Sequence, residues 1–510
     1  MSLGDRLFGW WRDPNPIVRK ELLAVLRTPL YVRSVVVALI VVGITVVTSA
    51  VTIADSSDSS EAGKILFQLF YGGTFLVMSF VGPTFGATTI VQEREGRTFD
   101  ALSLSALGPR RVVAGKLAAV FIAMAFIPLA SMPMLGVATL FGGVTLGHLV
   151  VSTVYVLAFG AVGVTFGVAV SSTTDATRKA VGATVPLSVL GAMFLGGMLS
   201  AVGHDFARHH ALSFEGPFFF ADAYFALPFD RLYALWLVLV PLWFVVAPSW
   251  LFYAVAHGGL MEPTQDRTLP LKRWGVFASP LTLALLVVAT RWTSSSASDR
   301  GGWCLFFVTL SALASTAMLF AFVGAPVEVS RRMTREQPGP VARALMPPSR
   351  VASVWFVVML GGLSCLCAPL ALVGTDPEML LAGLWAALYV AALGGFMGLV
   401  SLRGAAGPST ARVAGAVALF VTFVGAWLIA LLVGFGGHGN GIRHPSIVLA
   451  ISPTWAALAA ADTFIGTRGA GDVGDVRATF IAGAVAYGAI AAATLTAMTL
   501  SASRAPARRP

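Results

Sequence analysis

Long apolar runs alternate with short polar breaks along almost the whole chain, and the charges collect in the breaks. Runs near 31–54, 65–90, 117–140, 148–170, 181–202 and 232–256 are each about 20 residues long, enough to cross ~30 Å of hydrocarbon as a helix. A second set follows near 275–291, 302–325, 351–373, 379–401, 413–435 and 478–500. The pattern predicts an all-α polytopic membrane protein of about 12 transmembrane helices. They form two six-span modules, 31–257 and 275–502, joined by a linker at 258–274 and closed by a basic tail at 503–510. The second set repeats the segment order of the first, and Pro348-Ser349-Arg350-Val351 faintly echoes Pro109-Arg110-Arg111-Val112. It reads as a degenerate 6+6 repeat or as six accessory spans.

One break stands apart. Val91-Gln92-Glu93-Arg94-Glu95-Gly96-Arg97-Thr98-Phe99-Asp100-Ala101-Leu102, running on to Gly108-Pro109-Arg110-Arg111 and Gly115-Lys116, packs charges of both signs between two apolar runs. Hydrocarbon does not tolerate that density of charge, so the stretch is expected outside the bilayer. Read as one helix, it carries Glu95, Phe99, Leu102 and Ala106 on one stripe, an apolar seam with a charged back. Residues 1–30 predict an interfacial helix, with Asn15 as N-cap, Pro16 at the first helical position and Trp10-Trp11 suited to the headgroup layer. Val18, Leu22, Val25 and Leu26 form its apolar stripe, and Arg19, Lys20 and Arg27 supply basic heads. Residues 203–231, with Phe218-Phe219-Phe220 and Tyr224, predict helices in the opposite interface.

The Glu-Arg-Glu at 93–95, with Thr98, Phe99, Asp100 and Leu102 following and Pro109 and Gly115-Lys116 closing the stretch, resembles the first cytoplasmic loop of ABC-2 type permeases. These are the membrane subunits of ATP-driven exporters. Asn15-Pro16-Ile17-Val18-Arg19-Lys20-Glu21-Leu22 is similar to the connector helix of the same family. Members often carry Gly directly before the Thr, whereas here Gly96 and Arg97 stand in swapped order. The resemblance covers about the first half of the chain. It implies a soluble ATP-binding subunit, in two copies, gripping the 91–107 region through Glu93, Arg94, Glu95, Arg97, Thr98, Phe99, Asp100 and Leu102. It also implies a connector helix built on Asn15, Pro16, Arg19, Lys20 and Glu21.

Composition agrees with a membrane chain: 57% of the 510 residues are hydrophobic and 11% are charged. The net charge of +10 points to topology rather than to nucleic acid. With the runs above as spans, 26 of the 34 Lys and Arg and 11 of the 24 acids fall on one side, a net +15 against −5 opposite. The basic side is therefore expected to be cytoplasmic, with both termini on it; the resemblance implies a bacterial plasma membrane.

The remaining chemistry is sparse. Gly115-Lys116 lacks the upstream glycine of a phosphate-cradling loop, so ATP and Mg are assigned to the partner and no cofactor to this chain. His204-Asp205 with His209-His210 could offer metal ligands, as could His438 and His444, though short outer segments commonly carry such residues without a metal. No metal site is assigned. Cys365-Leu366-Cys367 lies in an apolar run and reads as packing. Gly160, Gly163 and Gly167 suit close helix contact. The spans hold almost no charge, which disfavours the alternative of a twelve-span ion-coupled secondary transporter. The sequence thus predicts a non-enzymatic permease subunit. Its path lies between its two halves, or between two permease copies if the second half is accessory.

Overall fold

A backbone surrounded by apolar side chains must satisfy its own hydrogen bonds, and the helix does so within one segment. The computed structural model describes residues 16–54, 59–99, 108–212, 214, 218–262, 265–292, 297–324, 349–374, 376–402, 407–422 and 472–504, and among them there is no strand. The helices lie where the apolar runs do. Nine of those described are long and apolar enough to cross a membrane, or ten if a bent pair at the N-terminal end counts as one span. The chain divides into two compact units, Met1–Met261 and Glu262–Pro510.

The first unit begins with α1 (Pro16–Arg27) and α2 (Pro29–Ala54), whose start is bent from α1 by 65°. Then come α3 (Ser59–Thr88), the short α4 (Val91–Glu95), α5 (Pro109–Phe141), α6 (Leu146–Thr173) and α7 (Thr177–His210). After α8 (Phe219–Ala226), a helical turn at Arg231–Tyr233 and a π-helical stretch at Ala234–Leu239 lead into α9 (Val240–Leu260). Helix α1 packs along α5, with Leu22, Val25 and Leu26 against the buried core. Its apolar stripe is therefore taken up by the protein's own helices.

The core of this unit runs through Phe67, Phe70, Tyr71, Met78, Phe85, Met124, Val156 and Val164. Helices α3 and α6 meet through glycines: a Cβ on Gly86 would stand 2.6 Å from Val164 O, and one on Gly163 would stand 3.0 Å from Pro83 Cγ. Gly167 lies against the Pro83 carbonyl. At one end of the unit α8 folds back among aromatic rings. Phe220 stacks on Tyr155 at 4.0 Å, and the Tyr224 hydroxyl donates to the Leu237 carbonyl inside the π-helical stretch. The Tyr233 hydroxyl donates in turn to Tyr224 O at 3.0 Å.

The second unit comprises α10 (Leu269–Trp292), α11 (Ala297–Phe322), α12 (Arg350–Leu372), α13 (Pro377–Leu402), α14 (Gly407–Phe420) and α15 (Asp472–Arg504). Helix α13 is buried along most of its length and packs against α11, α12, α14 and α15. Buried and half-buried charges tie the helices of this unit together. Arg350 donates to Ser401 O at 3.0 Å, Arg412 to Phe320 O at 3.1 Å, and Lys272 lies 3.6 Å from Asp266. Arg350 is buried, whereas Arg110 and Arg111 in the echoing tetrapeptide are exposed.

The structure corrects one expectation outright. The stretch after Val91 is not one continuous helix, because α4 stops at Glu95 and the chain turns through Gly96 and Arg97. Asp100, Leu102, Ala106 and Asn15 lie outside the described residues, as do His438 and His444. The backbone of His204, Asp205 and His209 belongs to the last turns of α7, and the His210 ring packs 4.6 Å from Phe206. Cys365 is buried in α12, its thiol 3.9 Å from Val308 O.

Candidate functional site

Three consecutive charged residues, Glu93, Arg94 and Glu95, leave α4 in different directions, because successive residues of a helix are about 100° apart around its axis. Each reaches a different helix of the first unit.

Glu93 points into the unit, toward α1 and α5. Its Oε1 lies 2.9 Å from Lys116 Nζ, and the same ammonium is 3.1 Å from Glu21 Oε1 on α1. Lys116 also donates to Thr89 O at 3.1 Å, so one buried cation joins α1, the end of α3, α4 and α5. Its side chain is 1% exposed, against 14% for Glu21 and 13% for Glu93. An ammonium this buried is tolerable only with its charge matched and its donors used, and here three acceptors do both. Lys20, largely exposed, adds a longer contact of 3.9 Å to Glu93.

Arg94 closes the end of α6. Its guanidinium donates to Ser172 O and Thr174 O, both at 2.8 Å, where a helix leaves its last carbonyls without partners. It lies 3.9 Å from Asp175 and over the Phe99 ring at 5.2 Å. Phe99 packs against the small cluster of Ile90, Val113, Val168 and Ala256. The Ser171 hydroxyl accepts from both Ile90 N and Val91 N at 3.0 Å, fixing the turn that precedes α4.

Glu95 caps the start of α7. Its carboxylate accepts from Thr177 N at 2.8 Å and from the Thr177 hydroxyl at 2.7 Å. These bonds favour the charged form and hold the Glu95 carboxyl below its usual range.

The turn that ends α4 has the hydrogen bonds of a Schellman motif: Arg97 N to Arg94 O at 3.1 Å and Thr98 N to Glu93 O at 2.9 Å. That motif needs a left-handed residue at its penultimate position, normally glycine. Here the residue is Arg97, with φ +57°, while the neighbouring Gly96 has an ordinary φ of −76°. Left-handed geometry costs a side-chain-bearing residue about 1 kcal/mol relative to glycine. Gly96 has a steric use of its own, since a Cβ there would stand 3.1 Å from Gln92 O.

The structure therefore brings Glu93, Arg94, Glu95 and Glu21 together around the helix ends and sets Gln92, Arg97 and Thr98 outward, exposed. On α1, Pro16, Arg19 and Lys20 are also exposed. Sequence reasoning named Lys116 as the close of the charged stretch without giving it a partner, and gave no role to Ser171, Ser172 and Thr177. Lys116 carried a readable signal, a lone charge at the very edge of an apolar run. The short polar stretch at 171–177 gave no sign of which residues it would meet.

Residues 27–256 match the family model described as ABC-2 family transporter protein, 230 of the 510 residues. Over these residues the chain is similar to ABC-2 type permeases. No curated protein matches the chain.

Proposed function

From the premise of an ABC-2 type permease module in a multi-pass membrane chain, we propose that the protein is the membrane subunit of an ATP-driven exporter. A separate soluble ATP-binding subunit, in two copies, drives it from the cytoplasmic side through the stretch from Glu93 to Leu107. Both termini are cytoplasmic, and the chain spans a bacterial plasma membrane twelve times as two modules of six. The path for the cargo runs between the two modules, or between two permease copies if the second module is accessory. ATP and Mg belong to the partner.

The observation that carries this reading is the three-way anchoring of α4. A force applied at the Glu93–Thr98 turn reaches α1 and α5 through Lys116, α6 through the Arg94 guanidinium and α7 through the Thr177 cap. A loop that only set topology would need its net charge and no such contacts.

The test is nucleotide handling by the full chain purified with and without a co-expressed P-loop ATPase from its own genome. The chain alone is expected neither to bind nor to hydrolyse ATP, and the complex to hydrolyse it. Saturable stoichiometric ATP binding by the chain alone would contradict the proposal.

A further inference from the structure

The anchoring of α4 leaves an exposed face whose chemistry differs from what the charge pattern suggests. Glu93 is held in the unit by Lys116, and Glu95, though exposed, is already bound to Thr177. Outward stand Gln92, Arg97 and Thr98, flanked at the same end by the exposed Lys20, Arg110, Arg111, Arg178 and Lys179. Among the described residues the acids exposed beside them are Glu95, already a helix cap, and Asp175, beside Arg94. The described part of this face is basic.

Within it, Arg97 is singled out by its backbone. It occupies a left-handed position, φ +57°, that glycine would take without cost. Its backbone N–H serves the turn, but the turn asks nothing of its side chain. A left-handed residue points its side chain away from the helix it terminates, here into solvent. Strain kept where no contact among the described residues uses the side chain points to a functional position.

We infer that Arg97 is the docking residue of this face, placing its guanidinium on an acidic patch of the nucleotide-binding subunit. The inference rests on the function proposed above. A planar guanidinium held at the tip of a tight turn is suited to two-point binding of a carboxylate, and the surrounding basic side chains steer an acidic surface toward it.

The test uses the full chain in nanodiscs with the P-loop ATPase that purifies with it, comparing wild type with Arg97→Gly, Arg97→Ala and Arg97→Lys. Arg97→Gly and Arg97→Ala should each weaken association by at least about tenfold and remove most of its salt dependence, while Arg97→Lys retains part of it. Arg97→Gly should also unfold about 1–2 °C above Arg97→Ala, since only glycine relieves the left-handed backbone. Lost association in a more stable protein cannot be ascribed to misfolding. Undiminished association in Arg97→Gly would overturn the inference and leave the coupling proposal standing. Failure of the wild-type chain to hold any P-loop ATPase would overturn both. A defect confined to nanodiscs containing phosphatidylglycerol, absent in phosphatidylcholine alone, would assign the arginine to lipid headgroups and overturn the inference as well.

Discussion

The Lys116 ammonium lies 2.9 Å from the Glu93 carboxylate, and 22 residues of chain lie between the two in sequence. That contact turns an apparently solvated loop into part of the bundle. Removing one partner of a buried pair leaves the other uncompensated, at about 3–5 kcal/mol. Lys116→Met should therefore destabilise the first unit strongly, since it strands Glu93 and Glu21 together. Adding Glu93→Gln to Lys116→Met should recover part of the loss, a coupling of about 0.5–3 kcal/mol in thermal unfolding of the purified chain. Strict additivity of the two changes would mean that the pair does not form.

The cap at α7 gives a pH dependence with a definite sign. The Glu95 carboxyl is held below its ordinary 4.5 by the Thr177 hydrogen bonds. A depressed carboxyl contributes stability that is complete above its unfolded value and is lost as pH falls through the folded one. The advantage of wild type over Glu95→Gln in thermal unfolding should hold near neutral pH and shrink on the acid side of 4.5. In a Thr177→Val background the acid-side change should be smaller. An advantage that grows with acidity would contradict the cap.

Glycine positions divide by what surrounds them. Gly86 and Gly167 sit where α3 and α6 touch, and a Cβ at either would meet backbone, Val164 O at 2.6 Å in the case of Gly86. A Cβ on Gly136 or Gly182 would meet nothing within 4 Å among the described residues. Gly86→Ala and Gly167→Ala should each cost about 1–3 kcal/mol, whereas Gly136→Ala and Gly182→Ala should be neutral or slightly stabilising. Unfolding midpoints of the four variants check the helix contact directly.

Topology follows from the charge asymmetry. A cysteine at Ser59 in a cysteine-free background should react with an impermeant thiol reagent from outside the cell, and one at Ser349 should not. The opposite labelling would invert the assignment of sides.

The architecture was legible because hydrocarbon imposes a length and a composition on every crossing segment: apart from the short α4 and α8, the helices from α2 to α15 lie on apolar runs that can be seen without coordinates. The place of the site was legible too, through the charges crowded into 91–116. Its wiring was not. A helix through Glu95, Phe99 and Leu102 is what periodicity alone gives, and it overlooks the Schellman turn, whose left-handed position is filled by Arg97 rather than glycine. Glu93 and Glu95 read as a solvated charged back because their partners, Lys116 and Thr177, come from helices whose proximity no local pattern encodes. Alanine at Glu93 would therefore strip a buried cation of one of its two carboxylates and not merely trim a surface.

The most direct test of the coupling proposal is ATP hydrolysis by the reconstituted complex carrying Glu93→Gln with Glu95→Gln. These substitutions keep the shape of both side chains and leave Arg97 in place, so the complex should still assemble. Without the two carboxylate anchors, permease-dependent ATP hydrolysis should fall by at least about tenfold, ~1.4 kcal/mol in coupling. Wild-type hydrolysis in an assembled double variant would show that the turn is not the route by which the two subunits communicate.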